Sequence, residues 1–180
     1  MEKKHGFTLS SPVMRNGGVL PRKYAGNRRE FPGCDGDNIS LPLQWKNMPE
    51  GTRSLAIAML DPLGRYGVGI VHWVAYDIPP NKTSFEEGEA NRPAGEFVAG
   101  RNNVARGPEH GPVDFRTLPG TYVWEGPCPR LEVPRRSYTI VLIATRVEPG
   151  TLKPGLSYYE LMEQLYGRTI EATDFIVRYR

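Results

Sequence analysis

Histidine and cysteine are scarce in this chain, with three and two among 180 residues. His5, His72 and His110 lie far apart, and no His/Cys pair has the spacing of a zinc module, so no metal site is expected. Two cysteines cannot build a multi-bridge framework. Cys34 and Cys128 are therefore expected as free thiols, with a single bridge only if the fold brings them together. No apolar run approaches the roughly 20 residues of a membrane-spanning helix. The opening MEKKHGFTL has charge but no apolar h-region, so a cytoplasmic protein without a secretory signal is expected. An excess of one charge sign is missing too: the net charge is +3 and the basic residues are spread out, which excludes a nucleic-acid footprint. The nearest thing to a basic run, Arg22-Lys23 with Arg28-Arg29, reads as a solvated loop. The chain has neither the P-loop pattern G-x-x-x-x-G-K-[ST] nor the nucleophile elbow G-x-S-x-G. No cofactor is expected.

Turn formers are abundant instead, with 20 glycines and 17 prolines. That suits a strand-and-loop protein better than a helical one. A single domain over residues 1–180 is expected, large enough to bury roughly 70% of its unfolded surface without a staple. Ser54 to Leu60 is apolar on both faces, as in a central strand covered on both sides. Val68 to Ile78 reads as a second strand beyond a charged, glycine-rich turn. Strict alternation places Val68, Ile70, His72, Val74 and Tyr76 on one face and Gly69, Val71, Trp73 and Ala75 on the other. Ser137 to Ala144 is the third strong strand, with Arg136, Tyr138, Ile140 and Leu142 sharing a face. Shorter strands are expected at Phe7–Ser11, near Tyr24, over Ile39–Trp45 (an edge or irregular strand, given Pro42) and over Glu96–Ala99. Residues 81–121 show no sustained period and read as a long loop that is docked or mobile. Ser157 with Glu160 fits a capping box ahead of the helical stripe Leu161, Met162 and Leu165. Thr169 to Asp174 reads as a second short helix, and Phe175 to Arg180 as a terminal strand. The expectation is a mostly-β domain, plausibly a sandwich, with one or two late helices.

Asp61 ends the first strong strand and His72 lies within the second. An ionisable group inside an apolar strand is costly unless it is paired or lines a pocket. The bland reading is a buried Asp61–His72 hydrogen bond holding a turn. The functional reading is a ligand pocket in which Asp61, His72, Arg136 and Tyr138 offer an acceptor and several donors to a small anionic or zwitterionic group. A third reading makes Asp61 and His72 an acid/base pair of an enzyme acting on a small phosphorylated or acyl substrate, although no nucleophile is evident. A fourth is an interaction module built on the 81–121 loop.

Several segments, in order through most of the chain, resemble the phosphatidylethanolamine-binding protein family in its bacterial and archaeal, Raf kinase inhibitor-like branch. Cys34-Asp35-Gly36-Asp37-Asn38-Ile39-Ser40 through Trp45 is similar to the family's C-x-G-x-N-x-S-P-x-L-x-W. Ser54-Leu55-Ala56-Ile57 with Asp61-Pro62 is similar to S-L-A-L…D-P-D-A-P. His72-Trp73-Val74 with Ile78-Pro79-Pro80 is similar to H-W-V…N-I-P. Gly126-Pro127-Cys128-Pro129 followed by Tyr138 is similar to G-P-C-P-P…H-x-Y. The resemblance implies a large central β-sheet packed on a smaller sheet, with helices near the C-terminus. It also implies a small anion-binding pocket, free of metal and cofactor, at one end of the sheet. Asp61 and His72 then match pocket residues, and Tyr138 with the Gly126-Pro127 turn matches the opposite wall. The implied role is non-enzymatic: binding of a small anion or phosphorylated lipid head group, or inhibition of a kinase or protease. Peripheral membrane contact and a homodimer stay open. Two positions depart from the pattern. Leu63 stands where the family has a second Asp, and Arg136 where it has a second His. Arg136 is then either a bidentate anion clamp or, paired with Asp61, a plug. Extra residues also fall at about 109–120.

Overall fold

The computed structural model describes residues 6–93, 95–104, 120–131 and 134–180. Among the described residues nine strands and two short α-helices follow in order: β1 (Thr8–Ser10), β2 (Gly18–Val19), β3 (Leu43–Lys46), β4 (Ser54–Asp61), α1 (Gly64–Gly67), β5 (Ile70–Ile78), β6 (Ser84–Phe85), β7 (Val98–Ala99), β8 (Arg136–Thr145), α2 (Tyr158–Leu165) and β9 (Thr169–Tyr179). Six strands form one sheet in the order β2-β9-β8-β4-β5-β7, and β1-β3-β6 form a smaller one. All pairings between these strands are antiparallel except the short β2–β9 contact. The expected architecture of a large sheet on a small sheet with a late helix is the one observed.

β4 is central because both of its faces are apolar. Leu55, Ile57 and Met59 enter the main core, which joins the large sheet to Leu9, Leu43, Trp45 and Phe85 of the small one. Ala56 and Ala58 enter a second core, where Leu161 and Leu165 of α2 close the other face. Alanines suit that side because a helix must approach the sheet closely. α2 starts at the expected capping box: the Ser157 hydroxyl accepts from the Glu160 N–H, and the Glu160 carboxylate accepts from the Ser157 N–H at 2.8 Å.

Four sequence expectations need correction. Thr169 to Asp174 is not a helix but the first half of β9, laddered against β8 from Thr145 to Val141. Cross-strand pairing along a long partner overrides the helical preference of Glu171 and Ala172. β3 is the middle strand of its sheet, not an edge, because Pro42 falls just before its first residue. Near Tyr24 the chain makes a 3-10 turn, Arg22–Tyr24, in place of a strand. The cysteines are not free: Cys34 and Cys128 form a disulfide across 94 positions. The last point could not be read locally, since it depends on two distant loops meeting. Of the long loop, β6, a 3-10 turn at Glu89–Asn91 and β7 are described. The extra residues 109–119 lie outside the described residues.

The alternation expected along β5 fails at the residue that matters most. Leu60 pairs with Val71 and Met59 with Trp73, so His72 is an extra residue in the ladder, a β-bulge. Val71 consequently faces the helix side with Val74 and Tyr76, while Trp73 faces the main core. His72 turns away from Val74 and Tyr76. Its ring meets that of Tyr138 edge-on, with centroids 5.3 Å apart, on the main-core face.

Candidate functional site

Asp61 is the last residue of β4, where Pro62 ends the ladder. Its Oδ1 accepts the Leu63 N–H at 3.1 Å, which holds the chain as it turns into α1. Arg136 opens β8, the neighbour of β4, and its Nη1 lies 3.4 and 3.5 Å from the two Asp61 oxygens. The pair is loose. Asp61 is 4% exposed, whereas the Arg136 side chain keeps 20% exposure. Burial pushes the Asp61 carboxyl above the usual carboxylate range, and the Arg136 charge and the N–H groups of Leu63 and Gly64 offset this only in part. Tyr138, two residues into β8 on the same face, is fully buried. Burial and the nearby Asp61 charge raise its phenol, so it stays protonated.

His72 is 3% exposed. Its Nδ1 lies 2.7 Å from the Glu125 carbonyl oxygen. A carbonyl only accepts, so Nδ1 carries the proton and, in the neutral ring, Nε2 presents a lone pair. Nε2 is buried and has no hydrogen-bond partner among the described residues. Burial lowers the imidazole to about 4; the Glu125 carbonyl pulls the other way, and the charges of Arg28 and Arg65 add to the lowering. The ring is therefore neutral near pH 7.

A folded value below the unfolded 6.5 has a thermodynamic consequence. The neutral ring's contribution is complete above pH 6.5 and is lost as pH falls toward 4, because the unfolded chain takes up the proton first. The loss expected from this one group is about 3 kcal/mol. Asp61, raised rather than lowered, acts in the opposite sense. Comparing urea denaturation of the wild type and His72→Phe between about pH 7 and pH 4 isolates the imidazole. The wild-type curve should fall more steeply; parallel curves would contradict a buried neutral His72.

Glu125 is held by a knot of three segments. The Gly126 N–H donates to Asn38 Oδ1 at 2.8 Å, the Gly26 N–H donates to the Pro127 carbonyl at 2.9 Å, and the Trp124 indole donates to the Tyr24 carbonyl. A Cβ at Gly126 would sit 2.3 Å from the Tyr24 carbonyl oxygen, so no larger residue fits there. Cys34–Cys128 ties the knot covalently. Gly126 and Pro127 are buried within it and aim the preceding carbonyl at His72.

The structure thus gathers Asp61, Arg136, Tyr138 and His72 on one face at one end of the large sheet, and packs the Gly126-Pro127 turn beside them. It does not form the Asp61–His72 hydrogen bond of the bland reading. Asp61 binds Leu63 and Arg136, while His72 binds Glu125. Sequence reasoning missed Arg28, Arg65 and Glu125. Arg22 and Lys23 pair at the surface with Asp35 and Glu87 as a solvated loop should, but Arg28 turns inward: its Nε is buried without a partner among the described residues, and its guanidinium lies over the Phe31 ring. Arg65 binds the Asn103 carbonyl and side chain from α1. The Gly-rich context of both arginines carried no periodic signal. Among the described residues no group of three His, Cys, Asp or Glu could hold a metal ion, and no helix is long and apolar enough to cross a membrane.

Comparisons with known proteins point the same way. The sequence profile of the phosphatidylethanolamine-binding protein family matches residues 10–180. A UPF0098 protein of Methanothermobacter thermautotrophicus is 30% identical over 176 residues, covering 97% of this chain and 99% of that protein. A UPF0098 protein of Aquifex aeolicus is 29% identical over 170 residues, covering 94% and 86%. Among solved structures, Escherichia coli YbcL, described as a new member of the mammalian PEBP family, superposes with a TM-score of 0.79. It is 24% identical and the match covers 97% of this chain and 98% of YbcL.

Proposed function

This chain belongs to the phosphatidylethanolamine-binding protein family, and on that footing we propose that it is a non-enzymatic binder of a small anion or phosphorylated head group. The observation that carries the reading is the cluster at the end of the large sheet. There a guanidinium, a phenol and a buried imidazole, one nitrogen of which has no hydrogen-bond partner among the described residues, share one face. Arg136 is the clamp. Asp61 reaches it through a single guanidinium nitrogen and at long range, which anchors the group without consuming its fork of donors. Tyr138 and the Gly126-Pro127 turn form the walls. His72 and Asp61 are engaged with other partners and not with each other, which favours binding over acid–base chemistry. The disulfide weighs against the cytoplasmic setting expected from the sequence, since such bridges persist mainly in oxidising compartments.

Isothermal titration with inorganic phosphate, phosphoethanolamine and acetate tests the reading. Binding heat is expected for at least one of the three, with affinity reduced about tenfold or more in Arg136→Ala. No heat in the wild type with heat restored by Arg136→Ala would make Arg136 a plug. No heat in either protein would remove the anion site altogether.

A further inference from the structure

Two Asn-x-Ser/Thr sequons stand in the chain, Asn38-Ile39-Ser40 and Asn81-Lys82-Thr83. That pattern is the acceptor of N-linked oligosaccharide in secreted proteins, and both the amide and the hydroxyl two positions on must reach the transferase. The fold treats the two in opposite ways. Asn38 is part of the knot: its Nδ2 donates to the Trp124 carbonyl and its Oδ1 accepts the Gly126 N–H at 2.8 Å. Ser40 is fully buried, and its hydroxyl accepts the Ala90 N–H at 3.0 Å. A chain carrying sugar on Asn38 could not close the knot. Asn81 lies instead at the tip of the turn after β5, where the Lys82 N–H donates to the Pro79 carbonyl at 3.0 Å. Asn81 and Thr83 are both exposed, and neither side chain makes a hydrogen bond among the described residues. Lys82, between them, turns inward to Glu89 at 2.7 Å, and the Thr83 carbonyl accepts the Trp45 N–H. The segment is thus anchored through its backbone and its middle residue, while the two acceptor side chains stay open to solvent.

We propose that Asn81 is an N-glycosylation site of this protein and that Asn38 is not. The Cys34–Cys128 bridge is the second, independent observation: such bridges persist mainly in oxidising compartments, the setting in which secreted chains receive their glycans. The donor is of the polyprenyl-phosphate-linked oligosaccharide class. The Asn81 amide nitrogen bonds to the anomeric carbon of the sugar, the bond from that carbon to the phosphate oxygen breaks, and the lipid phosphate leaves with the proton that the nitrogen gives up. The position suits the fold. Asp61 pairs with Ile70 at one end of β5, whereas Asn81 follows Ile78 at the other, roughly 25 Å along the strand, so a glycan there leaves the candidate anion site open. Asn81 also leads into β6, an edge of the small sheet, where bulk discourages pairing with another chain. The proposal owes nothing to the anion reading, and either can fail without the other.

Intact-mass and glycopeptide mass spectrometry of the full chain, isolated from its native cells, test the proposal. The folded, disulfide-bonded protein should exceed the mass of the bare chain by one oligosaccharide, with the sugar on Asn81 and none on Asn38. Produced in the same cells, Thr83→Ala should lose the whole increment and Thr83→Ser should keep it, because the hydroxyl is what the pattern requires at that position. Both substitutions fall on an exposed side chain, so each variant should give the circular dichroism of the folded wild type. A wild-type chain of bare mass overturns the proposal. So does sugar on Asn38 of the folded protein, or an increment that survives in Thr83→Ala.

Discussion

Reduction of the Cys34–Cys128 bridge is expected to lower the stability of the fold by about 4 to 5 kcal/mol. The bridge closes a loop across 94 positions, and the entropy withheld from the unfolded chain grows with the logarithm of loop length. For a chain of this size that corresponds to a fall in Tm of roughly 10 to 15 °C. The loss should be concentrated where the bridge acts. Gly36 and Gly126 pack at distances that admit no side chain, and Gly26 sits only slightly looser between them, so the segments fit only when held in register. Reduction should therefore also weaken the hydrogen bond from His72 to the Glu125 carbonyl and lower anion affinity with it. Urea denaturation with and without dithiothreitol, beside the Cys34→Ala/Cys128→Ala variant, measures the effect. A change under about 1 kcal/mol would mean that the tight backbone packing alone holds the knot.

The second large effect concerns the Asp61–Arg136 pair. Arg136→Met leaves a 4%-exposed carboxylate without its counter-charge. Removing one member of a buried pair commonly costs 3 to 5 kcal/mol. With contacts of 3.4 and 3.5 Å and a partly exposed guanidinium, about 2 to 3 kcal/mol is expected here at neutral pH. Burial already holds the Asp61 carboxyl above its ordinary range. Its pKa should rise further in Arg136→Met, so the penalty should shrink as pH falls and the carboxyl takes up a proton. Combining Arg136→Met with Asp61→Asn should recover most of the loss, because no charge is then left buried. A double-mutant cycle near pH 7 makes the comparison. Strict additivity of the two single substitutions would show that the pair is energetically idle.

Much of this arrangement is legible in the sequence because its causes are local. The two-sided apolar run of β4, the common face of Arg136 and Tyr138 in β8, and the Ser157–Glu160 cap each follow from spacing alone. Asp61 and His72 stand out as ionisable groups in apolar strands. The motif order around them then identifies the family that the profile and the relatives bear out. The errors share a physical origin as well. β9 reads as partly helical because Glu171 and Ala172 favour helices, but ten residues of β8 needed a partner. Arg28 reads as part of a solvated basic run because nothing near it in the chain reveals that its nitrogen will be buried.

The residue types at the site, the guanidinium at position 136 among them, and the strands that carry them were determined by the sequence. The tertiary structure decided which atoms remain open. The bulge that turns His72 toward Tyr138, the bridge that sets Glu125 against it and the inward turn of Arg28 all arise between segments far apart in the chain. Alternation and capping act over a few residues. A ladder slip, a disulfide and a buried charge are settled by energies between elements, which no short window of sequence contains.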